Sequence, residues 1–223
     1  LIVRGEQFKI ETIILDNDKQ YLVGVLESYN ISKGENIFSF NAKKTSSIIE
    51  NKLHHVRSVK IRKELPSKVY LEISHRVPIM RLSENLLYVT DDTGKVFMAS
   101  KSNTSSDVFE SIPILHDESA VLLRPGNQLD QNAALALNII KKFNSVINPG
   151  FKITRIDTSN DIYIILHSNT NKQIYIPWEE LTGDQQISSA IELMVNAMIK
   201  GKGNHLSKLI ILVNQNRCHF TRM

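Results

Sequence analysis

Three histidines, His54, His55 and His75, are the side chains in this 223-residue sequence best suited to chemistry. Imidazole titrates near neutral pH and is the commonest metal ligand. A zinc site needs three or four convergent nitrogen or sulfur ligands. His54 and His55 are adjacent, so at a helix end they point in different directions, and no cysteine or acidic residue completes a ligand spacing around them. Two carboxylate pairs, Asp91-Asp92 and Glu179-Glu180, are also adjacent. Acid–base pairs that face a substrate usually come from separate elements, so these read as a turn and a helix start. Gly201-Lys202-Gly203 is too short to cradle phosphate and follows a helical pattern where a phosphate loop would precede one. Cys218 stands beside His219 in a strand pattern, where successive side chains face opposite ways and cannot form a nucleophile–base pair. The reading is therefore of a protein that is not an enzyme, with no catalytic residue, metal site or cofactor expected.

Composition narrows the class. Lys and Arg number 27 against 23 Asp and Glu, a formal charge of +4, and the cations are spread along the chain. That is the pattern of a solvated surface, and no aromatic residues interleave with the cations to stack bases, so no nucleic-acid partner is expected. A single cysteine excludes a disulfide scaffold. The longest apolar runs resemble Leu209–Val213, far below the roughly 20 residues that span a bilayer. No signal peptide is recognisable. The chain opens at Leu1-Ile2-Val3 without methionine, so it is expected to be a fragment of a longer chain.

The elements follow from periodicity. Phe8, Ile10, Thr12 and Ile14 alternate as a strand, and Tyr21, Leu22, Val25 and Leu26 have helical spacing over 18–29. Gly34 marks a turn, and Asn41 suits the N-cap of a second helix with Ile48, Ile49 and Leu53 as its buried stripe. Between them Ile37, Phe38 and Phe40 are expected to tuck the loop under the sheet, because so small a domain must use each apolar residue. Strands follow around Val56, Val59 and Ile61 and around Val69, Leu71 and Ile73, giving the order β-α-α-β-β. Beyond Pro78, short strands at 78–82, 86–89 and 96–97 and a polar loop at 100–107 precede a strand near Ile112–Leu115. A helix over 127–147, a three-stranded meander over 151–177, a helix over 184–200 and a final hairpin complete the chain. The fold class is α+β: a β-α-α-β-β domain over 1–77, which resembles a POTRA domain, and a strand-rich β domain with two helices over 78–223.

The stretches "FKIETIIL", "GENIFSFN", "IIENKLHHVRSVKIRKELPSKVYLEISHRVPI" and "DDTGKVF", in this order and followed by this helix–meander–helix–hairpin layout, resemble the FtsQ/DivIB family of bacterial cell-division proteins. "SHRVPI" and Ile210–Val213 depart from the family's usual pattern, which carries charged residues there. The resemblance implies a single-pass protein of the cytoplasmic membrane, with POTRA and β domains on the extracytoplasmic side at the division septum. It implies a scaffold that binds FtsB/DivIC-like and FtsL-like partners and helps regulate septal peptidoglycan synthesis. The rival reading is a POTRA-bearing outer-membrane assembly or secretion factor, which would normally carry tandem POTRA units and a long transmembrane barrel.

Strand addition is the expected mode of binding, because an edge strand leaves main-chain donors and acceptors unpaired. The last strand is one candidate, with Arg217, Cys218, His219, Phe220, Thr221 and Arg222 supplying main-chain pairing and Phe220 an apolar anchor. The resemblance supports this choice, since the FtsB-like partner of such proteins is received near the C-terminus of the β domain. A second candidate is the POTRA edge at Val56, Arg57, Val59, Lys60, Ile61 and Arg62.

Overall fold

The computed structural model describes residues 5–15, 33–82, 87–99, 105–145, 151–181, 183–199, 209–214 and 217–222. The chain divides into two compact units, Leu1–Arg76 and Val77–Met223.

In the first unit, β1 (Thr12–Leu15), α1 (Ala42–Lys52), β2 (Val56–Glu64) and β3 (Lys68–His75) form a helix-backed, three-stranded sheet of order β1-β3-β2. β1 runs parallel to β3 and β2 antiparallel to it. The helix expected over 18–29 lies outside the described residues. α1 begins where the sequence says it should: Asn41 Oδ1 accepts from the Lys44 amide at 3.0 Å, occupying one of the helix's orphan donors. Ile49 is fully buried and Leu53 packs beside it, while Ile48 stays outside the core cluster.

The aromatic loop behaves differently from expectation at one residue. Ile37 and Phe40 are buried, but Phe38 is 52% exposed. The amides of Ser39 and Phe40 donate to the Asn36 carbonyl, and Asn36 Oδ1 accepts from the Phe38 amide. In so tight a turn, residues three apart share a face, so Ile37 and Phe40 go inward and Phe38 goes out. It rests edge-on against Phe8 at 5.2 Å. The first strand is also shorter than its alternation suggests. Glu6–Phe8 form a single 3-10 turn, and Ile10 exchanges main-chain bonds with Glu35 and Gly34 before β1 starts.

The second unit contains β4 (Met80–Arg81), β5 (Tyr88–Thr90), β6 (Val96–Met98), α2 (Ser106–Ser111), β7 (Ile114–His116), α3 (Gln131–Ser145), β8 (Ile153–Asp157), β9 (Tyr163–Ser168), β10 (Lys172–Pro177), α4 (Asp184–Ile199), β11 (Leu209–Asn214) and β12 (Arg217–Arg222). The strands make one nine-stranded sheet of order β12-β11-β10-β9-β8-β7-β4-β5-β6. α3 and α4 pack together and bury Ile139, Ile140, Ile191 and Met194 against Ile156, Leu166 and Ile174 of the sheet. The alternating burial of β9 and β10 shows that this cover is on one face.

One expectation changes here. The polar stretch 100–107 was expected to be a loop, yet its end starts a third helix, α2, capped by the Ser105 hydroxyl. Phe109 of α2 packs on Val89, Phe97 and Ala99, with the Arg81 guanidinium 5.0 Å from its ring. α2 therefore covers the opposite face of the sheet at its β4–β6 end. Long-range apolar contact overrides a polar local sequence. The "DDTG" turn forms as expected: the buried Asp91 carboxylate accepts from the amides of Thr93 and Lys95, both at 3.0 Å, and Gly94 takes φ +80°.

A second buried carboxylate, Asp117, sits between β7 and α3. Burial on its own raises its pKa. Donation from the Ser119 and Thr158 hydroxyls and from the Ser119 and Ala120 amides outweighs this and holds the pKa below its ordinary value.

Candidate docking edges

β12 stands at the end of the large sheet, paired antiparallel with β11 in the register Leu209↔Arg222 to Asn214↔Arg217. Among the described residues no strand lies on its other side. Its six residues, Arg217, Cys218, His219, Phe220, Thr221 and Arg222, thus hold the position that strand addition requires.

Register sorts these residues into rows across the sheet. Phe220 pairs with Ile211, which pairs with Ile174, then Leu166, Ile156 and Leu115. Every member from Ile174 to Leu115 is buried. His219 instead continues the row Leu212, Tyr175, Ile165 and Asp157, whose members from Tyr175 to Asp157 are half-buried. α4 lies against both β11 and β12. Phe220 therefore occupies a position in the core row, and His219 one in the row of the other face.

The opposite end of the sheet is closed. The Val96 amide donates to the Asn127 carbonyl at 3.0 Å, and the Val96 carbonyl accepts from the Gly126 amide at 2.8 Å. Lys95 Nζ also donates to the Gly126 carbonyl at 2.5 Å. With Val96 taken, the three-residue β6 keeps too few outward groups to template another strand.

β2 is an edge of the small sheet, and the candidate residues Val56, Arg57, Val59, Lys60, Ile61 and Arg62 all lie along it. One of its outward donors is already used. Glu50 of α1 reaches round the sheet, and its Oε1 accepts from the Val59 amide at 2.7 Å. Since antiparallel neighbours alternate between bonded and non-bonded pairs, Ile61 and Lys63 share the parity of Val59 and direct their main-chain groups outward too. Lys60 makes an exposed ion pair with Glu72 at 3.8 Å, a contact worth little in water. The Arg62 guanidinium lies 4.5 Å from the Tyr70 ring. Beside it a groove of about 540 Å³ runs over Ile14, Ile61 and Tyr70. Sequence reasoning missed Glu50, because nothing local marks a helical glutamate that turns to a strand nine residues on.

Of the residues weighed for chemistry, the structure brings two histidines together. His55 and His75 stack at 5.6 Å with ring planes 7° apart, but among the described residues no group of three metal-capable side chains forms. Asp91 is spent on its turn, and Glu179 lies in the short 3-10 helix Trp178–Leu181. Trp178 Nε1 donates to the Asn160 carbonyl at 2.7 Å. Among the described residues no helix is long and apolar enough to cross a membrane.

A parallel β1–β3 pair, an antiparallel β2 edge and a capped helix behind them define the first unit as a POTRA module. More particularly, residues 8–76 match the family described as POTRA domain, FtsQ-type. The match supports the FtsQ/DivIB assignment and points to a role in cell division. A comparison with curated proteins returns no match for the chain.

Proposed function

We propose that this chain is the extracytoplasmic part of a non-enzymatic division scaffold, with a POTRA domain over 1–77 and an FtsQ-type β domain over 78–223. The FtsQ-type match over residues 8–76 is the observation that carries the reading. In this reading a single-pass anchor upstream holds the protein in the cytoplasmic membrane at the septum. FtsB/DivIC-like and FtsL-like proteins are its partners, and their assembly with it helps regulate septal peptidoglycan synthesis.

Docking is by strand addition to β12. Only two residues join β11 to β12, which makes Asn214 and Arg217 a hydrogen-bonded closing pair. Alternation then commits His219 and Thr221 to β11 and turns the main-chain groups of Cys218, Phe220 and Arg222 to the open edge. Phe220 contributes its main chain to docking.

The test is calorimetry of this chain with the extracytoplasmic segments of FtsB/DivIC-like and FtsL-like proteins from the same genome. Proline is placed in turn at 219, 220 and 221, with circular dichroism as the fold check. Proline removes one ladder donor. Phe220→Pro is expected to lose binding while circular dichroism still shows a fold, weakened by the lost ring, whereas His219→Pro and Thr221→Pro break the pairing of the hairpin itself. Full binding by a folded Phe220→Pro chain moves the docking edge elsewhere. No binding of either partner by the unaltered chain removes the scaffold reading.

A further inference from the structure

We infer that Glu50 is a guard on the POTRA edge: its carboxylate closes β2 at Val59 and confines strand addition to Ile61–Glu64, where a short extended segment with acidic side chains fits. This rests on the reading of β2 as a docking edge and specifies its register, its length and the chemistry of its occupant.

The geometry is that of a substituted strand. An added strand would offer a main-chain carbonyl to each outward amide of β2. At Val59 that place is taken by Glu50 Oε1 at 2.7 Å, a charge-assisted bond shorter and stronger than a carbonyl would make. A partner reaching Val59 must displace a carboxylate and leave it to find other donors at the crowded edge. One alternation further on, Ile61 and Lys63 turn the same groups outward, and no described residue bonds to them. Pairing is therefore cheaper there, and the run is short.

Charge selects the occupant. Lys60 and Arg62 are both exposed and lie two residues apart, so they share one face of β2. A neighbouring strand in this register sets its alternate side chains beside them, within the reach of cross-strand pairing. Acidic side chains are favoured at those positions and basic ones are opposed. The acidic neighbour Glu72 is held by Lys60 only at 3.8 Å and is exposed, so it can yield. Edge blocking by an inward-reaching charged group is a general protection against unwanted pairing. Here the block covers one part of the strand and spares the other.

The experiment uses the full chain, labelled with nitrogen-15, and an eight-residue peptide alternating glutamate and valine, with its lysine–valine counterpart as control. Amide shifts are followed in the unaltered chain and in the Glu50→Ala and Glu50→Gln variants, with amide exchange read at Val59. The expected result is saturable shifts at Ile61 and Lys63 with Val59 spared, and none with the lysine peptide. Glu50→Ala is expected to speed exchange at Val59, extend the footprint to that residue and tighten binding about three- to tenfold, one main-chain hydrogen bond's worth. Glu50→Gln keeps an acceptor oxygen and should preserve the protection at Val59. Unchanged exchange, footprint and affinity in a folded Glu50→Ala chain overturn the guard while leaving the edge reading intact. Equal binding of the lysine peptide overturns the acidic occupant. No shift along β2 in any of the three chains overturns the POTRA-edge reading and the guard with it.

Discussion

The Lys63 ammonium donates to the Phe40 carbonyl at 2.5 Å and stands 5.5 Å from the centre of the Phe40 ring. One side chain of β2 thus pins the loop that carries Ile37 and Phe40 into the core. A charged donor on a main-chain carbonyl contributes more than a neutral one, but this one is partly exposed. Lys63→Met keeps the stem and removes the donor. It is expected to cost about 1 kcal/mol in urea unfolding followed by fluorescence or circular dichroism. An unchanged midpoint and slope would show that the loop is held by its apolar residues alone.

Asp117 gives stability a pH dependence of definite sign. Its folded pKa lies below its unfolded one, so its contribution is complete above the unfolded value and is lost as pH falls through the folded value. Asp117→Ala removes the acceptor shared by the Ser119 and Thr158 hydroxyls and the Ser119 and Ala120 amides, and is expected to cost about 1–3 kcal/mol at neutral pH. The gap between the two proteins should narrow below about pH 4, the ordinary carboxylate range. Denaturant titrations at pH 7, 5 and 3 read this directly, and a gap that stays constant contradicts the assignment.

Phe220 lies in register with a buried row, which predicts a core-like penalty. Phe220→Ala is expected to destabilise the second unit by about 3 kcal/mol. His219→Ala, in the row of the opposite face, should fall within about 0.5 kcal/mol of the unaltered chain. Thermal unfolding of the two variants side by side discriminates between Phe220 as a sheet residue and Phe220 as a free apolar anchor.

Gly94 takes φ +80°, and a Cβ there would approach Gln128 Nε2 to 3.1 Å. Gly94→Ala therefore meets both backbone strain and a tight neighbour. A loss of about 1–2 kcal/mol is expected, since this backbone region suits glycine. The loop that seals β6 depends on this turn through the Leu129 amide and Gly94 carbonyl, 3.1 Å apart. Amide exchange at Val96 should accelerate in the same variant.

Periodic elements were legible in the sequence. α3 and α4 announce themselves by their apolar spacing, Asn41 by its capping position, and the final hairpin by two short strands around the polar run 214–217, of which Asn214 and Arg217 belong to the strands themselves. What escaped were features set by distant partners. Phe38 has the same composition as Phe40, and only the turn at Asn36 sends one out and the other in. α2 starts in a polar run and is held by Phe109 on Val89 and Phe97, residues met earlier in the chain. The candidate edges were legible as strands, since the alternation of 56–62 and the terminal position of 217–222 are local facts. That Glu50 occupies one edge and 126–127 another was not, because those bonds join residues whose meeting depends on the whole sheet.

The sealing of β6 by Gly126 and Asn127 has a consequence for stoichiometry. A sheet with two receptive ends can accept one molecule at each and propagate as a fibre, as heterologous contacts do when they fail to close. Among the described residues, this sheet keeps one end without a further strand or loop bonded to it, at β12. A strand arriving at β12 terminates growth, and two copies meeting there form a closed pair with no further growing end in either sheet. In the proposed reading such a sheet is filled at one end by a partner and does not pass the contact on.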